Sequence, residues 1–171
     1  DRVYVGQIAN NLIFNITSHG IYANQVGLFG ILALDSNLIY NCTGSGIYTM
    51  QTMSFNSVKG NTIYLVQNGL YLYADNYFSV ANFSDNRIFS YSSKGIYCKY
   101  LRNTTIENNL IYGCTGSGSS TYGIQIYNDN LYSNTIKNNT VYNGGYYGIY
   151  GNRTTGSWRN NIVTGSTYGF R

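Results

Sequence analysis

Asn37-Leu-Ile-Tyr-Asn-Cys-Thr-Gly-Ser-Gly-Ile-Tyr48 is the stretch from which the rest of the chain is copied. Reduced to its frame it reads Asn-x-Ile-Tyr, a short gap, then Gly-Ile-Tyr. The frame Asn recurs as Asn11, Asn37, Asn61, Asn86, Asn109, Asn139 and Asn161. The paired Gly recurs as Gly20, Gly46, Gly69, Gly95, Gly123, Gly148 and Gly169. Successive Asn are 26, 24, 25, 23, 30 and 22 residues apart. Seven copies at a steady spacing make this a repeat protein, with residues 1–171 as one solenoid domain.

Within each copy, three positions are apolar throughout. They lie three before the Asn (Ile8, Leu34, Val58, Phe83, Ile106, Ile136, Trp158), two after it (Ile13 to Val163) and one after the Gly (Ile21 to Phe170). Three short strands per turn, each with inward residues at period two, meet that requirement. A turn this short has no room for a βαβ unit of 30 or more residues, and no 3.6-period run of helical length appears. The expected fold is therefore all-β: a right-handed, single-stranded parallel β-helix of about seven turns, with Ile columns as its dry core. The frame Asn and Gly are expected at the corners, Asn for its tolerance of unusual dihedrals and Gly for its missing Cβ. Seven stacked Asn can also bond to one another along the column.

Composition agrees. Of 171 residues, 9% are charged, 43% are hydrophobic and 20 are Tyr, which is too apolar and aromatic for a disordered chain. Proline is absent, as expected where nearly every N–H joins a ladder. The net charge of +4 is spread over ten scattered Lys and Arg, a solvating pattern with no nucleic-acid motif behind it. No run of 18 apolar residues exists to span a membrane as a helix. The chain starts at Asp1 without a signal peptide, which suits a processed secreted chain or an excised piece of a longer one.

The Asn-x-Ile…Gly-Ile pattern resembles the parallel β-helix repeat of the pectate-lyase-like superfold, and the resemblance spans essentially the whole chain. That superfold includes polysaccharide lyases and hydrolases, adhesins, copper-maturation proteins and many surface proteins. The resemblance implies the fold and leaves enzyme and inert scaffold both open.

Enzymes similar to this fold gather Asp and Glu from neighbouring turns, often beside Arg or Lys. Here the carboxylates are Asp1, Asp35, Asp75, Asp85, Glu107 and Asp129. Asp35 and Glu107 share a register three turns apart, roughly 14 Å; Asp75 and Asp129 share another two turns apart, roughly 10 Å. A retaining pair needs about 5–5.5 Å and an inverting pair about 6.5–9.5 Å, so no catalytic residue is expected. His19 is the only histidine and reads as an exposed turn residue without partners for a metal or a triad. Cys42 and Cys114 occupy one inward row with Ile16 and Val66, too far apart to bridge, and with Cys98 they are expected as free thiols. No cofactor or metal is expected. The fifth copy carries five extra residues within Gly116–Tyr122, expected as a protruding loop.

Six sequons begin at Asn15, Asn41, Asn82, Asn103, Asn138 and Asn152, possible N-glycosylation sites if the chain is extracellular. Two aromatic rows stand out from this background. One follows the Asn by three: Phe14, Tyr40, Tyr64, Phe89, Tyr112, Tyr142. The other follows the Gly by two: Tyr22, Tyr48, Tyr71, Tyr97, then Gln125, then Tyr150. Alternation places both outside, where stacking steadies neighbouring strands and leaves an amphipathic surface. Neither end of the repeat carries a capping segment, and joining two copies head to tail would keep the Gly-to-Asn gap at 13 residues, a value the repeat already uses. The function expected is an extracellular, cell-surface structural subunit whose partners are copies of itself, forming a filament, sheath or lattice. The alternatives are a carbohydrate-binding or polysaccharide-degrading β-helix and an adhesin fragment.

Overall fold

In a computed structural model the chain winds into a parallel β-helix, described for residues 6–24, 32–50, 55–74 and 82–171. One sheet stacks seven strands in sequence order: Gln7–Ala9, Leu32–Asp35, Phe55–Lys59, Asn82–Ser84, Thr105–Glu107, Thr135–Lys137 and Trp158–Arg159. A second sheet holds the other two strand positions of every rung, and every pairing is parallel. The seven rungs are joined by six complete turns, so the expected seven turns are about six.

The three apolar positions inferred from the repeat are the hydrogen-bonded columns. Ile8 pairs with Leu34, Leu34 with Val58, Val58 with Phe83, and the line continues through Ile106 and Ile136 to Trp158. Ile13 to Val163 and Ile21 to Phe170 run in register in the same way. Interior members are fully buried, whereas Ile8, Ile13, Trp158 and Val163 of the outer rungs are only partly covered. One further inward column, Ala23, Thr49, Leu72, Cys98 and Ile126, escaped the repeat because its residues vary, while the expected inward row of Ile16, Cys42 and Val66 runs on to Tyr91. Tyr91 is fully buried and its hydroxyl donates to Gly144 O at 3.1 Å, two rungs on, using space left beside Cys114.

Two expectations about the corners are corrected. The frame Asn does not take the unusual dihedral; the residue before it does. Asn10, Ser36, Gly60, Asp85, Asn108, Asn138 and Asn160 all have φ between 54° and 66°. That single left-handed residue turns the chain, so the Asn side chain swings inward. The frame Gly is not a corner either. None of the seven has positive φ, and Gly46, Gly69, Gly95, Gly123 and Gly148 lie buried within strands, where an added Cβ would strike the next rung's Gly carbonyl and a core side chain. The second corner lies four residues after the Asn, at Asn15, Asn41, Leu65, Ser90, Gly113, Asn143 and Gly165, again with positive φ throughout. In rungs two to four strand pairing continues on both sides of this corner, giving single bent strands Leu38–Met50, Thr62–Tyr73 and Arg87–Lys99 where two were expected.

The inward Asn side chains form a continuous ladder. Each Nδ2 donates to the next Asn Oδ1 at 2.9–3.1 Å, and the same Oδ1 accepts the backbone N–H of the preceding Asn. From Asn37 onward each Nδ2 also donates to a strand carbonyl of the rung before, Ile8 O for Asn37 and Val58 O for Asn86. The amides thus satisfy one another inside a corner that is closed to water.

Candidate functional site

Alternation along the second strand position puts the residues one and three after the frame Asn on the outer surface. The aromatic row at the third position is a regular stack. Ring centroids are 5.3 Å apart for Phe14 and Tyr40, 4.9 Å for Tyr40 and Tyr64, 4.7 Å for Tyr64 and Phe89, and 5.0 Å for Phe89 and Tyr112, with planes within 8° of parallel. The planes therefore lie across the solenoid axis, each ring covers its neighbour's face, and solvent meets ring edges. Tyr142, 52% exposed, continues the row in register. Beside the rings, Leu12, Leu38, Leu110 and Ile162 stand exposed in the column one after the Asn. Arg87 shares that column; its guanidinium lies over Phe89 and Tyr112 and donates to Tyr112 Oη at 2.8 Å.

The row that follows the Gly behaves differently. Tyr22, Tyr48 and Tyr71 stack at 5.6 and 4.8 Å, but Tyr97 turns edge-on to Tyr71, at 61°. Tyr97 is only 9% exposed, which corrects its placement on the outside. Lys94 sits over its ring at 5.5 Å, and burial pushes its hydroxyl pKa upward. Gln125 is buried and interrupts the row; Tyr150 instead meets Tyr122 edge-on.

His19 is half-buried, not exposed as the sequence suggested. Its ring stacks on Tyr48 at 4.4 Å and on Tyr22 at 5.8 Å, and its Nδ1 accepts the Ser45 N–H at 3.0 Å. That bond requires a bare Nδ1, so the neutral ring carries its proton on Nε2. Burial lowers the imidazole pKa below its usual value. The unfolded chain therefore binds the proton more readily, and the stability His19 provides is present above about pH 6.5 and lost as pH falls through the folded value. The thermal midpoint should drop between pH 7 and pH 5, and less so in His19→Leu. Equal drops in both proteins would refute this role.

Further aromatic groups were not visible as a row. Tyr122, Tyr147 and Tyr168 stack one before the Gly, at 5.2 and 5.4 Å, with Tyr146 edge-on to both Tyr147 and Tyr168. This column is hidden in the sequence because its first four positions are His19, Ser45, Asn68 and Lys94. Arg171 donates to Tyr147 Oη at 2.7 Å. The loop of the fifth copy borders an open depression of about 390 Å³ lined by Gly113, Cys114, Ser117, Thr121, Asn143 and Tyr146 among others. Thr121 is buried and ties the loop down, donating to Gly118 O and accepting from Tyr146 N, so only Ser117–Ser120 protrude fully.

The carboxylates are dispersed and engaged. Asp35 accepts the Ser57 hydroxyl at 2.8 Å and the Lys59 N–H; Asp85 faces Lys59 at 3.8 Å; Glu107 pairs with Lys137 at 2.8 Å. Asp1 and Asp75 fall outside the described residues, as does the side chain of Asp129. Among the described residues no three His, Cys, Asp or Glu gather as a metal site, and no helix is long and apolar enough to cross a membrane. Cys42 and Cys98 are buried and Cys114 half-buried, all free. Of the sequon asparagines, Asn15, Asn41, Asn82, Asn103 and Asn138 are exposed and Asn152 is half-buried. Asn15 and Asn41 are adjacent in the stack, Asn41 Nδ2 donating to Asn15 Oδ1 at 2.6 Å.

A family profile described as the right-handed beta helix region matches residues 4–171. No curated protein and no solved structure gives a significant match.

Proposed function

The chain belongs to the right-handed β-helix family, and from that premise we propose that it is a structural, self-associating rod of an extracellular surface, not a polysaccharide-cleaving enzyme. The observation behind this is the edge-on stack from Phe14 to Tyr112. A sugar platform presents the face of an aromatic ring, whereas these faces are spent on one another. Ring edges flanked by exposed leucines suit packing against another apolar, regularly spaced surface. The described carboxylates add weight, since each is held by a Ser, a Lys or both. Extracellular placement rests on the exposed sequon asparagines, and a mass loss on treating the native protein with an N-glycan-cleaving amidase would support it. Sedimentation velocity from low to high micromolar concentration, with electron microscopy of native material, tests the whole proposal: concentration-dependent assemblies are expected, and discrete monomers throughout would sink it.

A carbohydrate-binding role draws on one place, the depression beside Tyr146, where hydroxyl and amide groups meet a ring not buried in a parallel stack. Binding of soluble oligosaccharides, lost in Tyr146→Ala, would favour it. Release of sugar ends that depends on Asp75 or Asp129 would restore the enzymatic alternative.

A further inference from the structure

We propose that the face formed by the second strand position is the contact between two copies of this chain, and that the copies lie side by side with parallel axes about a two-fold. The inference rests on the self-association proposed above and adds its geometry.

The face is bounded by the two left-handed corners, one before the frame Asn and one four after it. It spans six rung intervals of about 4.8 Å, roughly 29 Å, by about five residues, roughly 17 Å. The projected area is roughly 500 Å², and the relief of upright side chains raises its accessible area toward the roughly 800 Å² per partner of a stable interface.

Two features of rung three mark the face as more than a solvated sheet. Leu65 is the only aliphatic residue in its corner column, whose other members are Asn, Ser and Gly. It holds φ at +54°, a strained setting for leucine, and is 54% exposed. Nothing in the fold accounts for paying that strain to place an apolar side chain in water, and backbone strain of this kind points to a use outside the fold. On the opposite margin of the same rung, Gly60 is the only glycine in its column of Asn, Ser and Asp. Its φ of +66° suits glycine, and a Cβ there would meet nothing closer than Ser36 Oγ at 3.5 Å, so this margin is bare where the neighbouring rungs carry a side chain. Leu65 is a bump and Gly60 a notch, at the two edges of one strand.

Two face-to-face arrangements obey two-fold symmetry, and each makes a different match. With the two-fold parallel to the solenoid axis, equal rungs meet and the two margins exchange. Leu65 then enters the notch at Gly60 of the other copy, the leucine column packs on the ring column, and Arg87 meets the Phe89 ring across the contact. With the two-fold perpendicular to the axis, rung three meets rung five and each column meets itself. Arg87, in the middle rung of seven, then faces its own copy, and like charges oppose. Arg87 and, at the margin, Asp85 are the charged residues of this face, and only the perpendicular arrangement sets each of them against itself. The parallel arrangement is favoured.

The test uses substitutions that each corner column already tolerates, made in protein from a bacterial host so that no glycan is added. Leu65→Asn should raise the thermal midpoint of dilute monomer by about 2–4 °C through relief of strain, yet weaken self-association about tenfold or more. Gly60→Asn, at a φ of +66° that asparagine tolerates less well than glycine, should lower the midpoint by no more than about 2–4 °C and weaken self-association comparably. The opposite signs at Leu65 separate a contact role from a folding role. Self-association unchanged by both substitutions would overturn this interface while leaving a self-associating rod intact; a monomer at every concentration would remove both. Spin labels on Thr17→Cys in a Cys114→Ser background read the geometry. The parallel pairing puts the two labels on the same rung, whereas the antiparallel one separates them by about a further 29 Å along the axis. A long distance in the dimer would overturn the parallel arrangement.

Discussion

Asn86→Ala is expected to destabilise the protein by about 3–6 kcal/mol, read from chemical denaturation, because it strands several buried groups at once. Asn86 Oδ1 accepts both the N–H and the Nδ2 of Asn61, and Asn86 Nδ2 donates to Val58 O and Asn109 Oδ1. Removing the amide leaves the two Asn61 donors and the Val58 carbonyl in a corner where Asn61, Asn86 and Asn109 are at most 1% exposed. Each orphaned group costs about 1–3 kcal/mol, against a total stability of about 5–15 kcal/mol for a typical domain. Asn86→Asp separates hydrogen bonding from shape. Its carboxylate still accepts from Asn61 but turns lone pairs toward Val58 O and Asn109 Oδ1, so at neutral pH it should cost at least as much as alanine. Part of that loss should return in acid, where the protonated carboxyl regains one donor. The outermost position is the control. Asn11 is exposed and, among the described residues, only donates, so Asn11→Ala should cost about 1 kcal/mol. Asn86→Ala costing no more than Asn11→Ala would refute the ladder as a cooperative support.

Gly95→Ala is the second large effect, expected at about 3 kcal/mol. A Cβ on Gly95 would lie 2.5 Å from Gly123 O and 2.5 Å from Ile111 Cγ2. The first is a backbone oxygen of the next rung, so relief requires parting two hydrogen-bonded strands. The second is a core side chain packed without slack. Gly118→Ala, in the loop of the fifth copy, meets only Ser120 N at 4.0 Å and should be neutral or slightly stabilising, since alanine narrows the unfolded ensemble. Thermal midpoints of the two variants measured side by side decide the matter: similar values would show that the rungs are not closely spaced at Gly95.

These two variants also mark where local sequence and tertiary structure divide the work. Periodicity located Asn86 and Gly95 and anticipated that stacked Asn amides bond to one another, but it misjudged the Asn dihedral and the reason for the Gly. Both looked like corner residues because Asn and Gly are common at turns. In the fold they are interior residues, the Asn chosen for an amide that bonds up and down the stack, the Gly for the close passage of a neighbouring rung. The residues that turn the chain, Ser36, Gly60 and Asp85 among them, are too varied to form a visible motif, because a left-handed corner tolerates any of several small polar residues. The same applies to the candidate face. The aromatic row was legible, yet whether it showed ring faces or ring edges was not, since that depends on the spacing of neighbouring rungs. His19 and Tyr97 were misplaced for a related reason: each is covered by side chains one rung away, more than twenty residues off in sequence.

What the sequence determined by itself was the repeat, and with it the fold. Three apolar positions recurring about every 25 residues can be buried together only if the copies stack, and stacking at strand spacing dictates a parallel β-helix. What only the tertiary structure decided was the direction and company of each side chain. Burial of a column depends on the corner that precedes it, and one left-handed residue is enough to send an asparagine inward or leave a leucine in water.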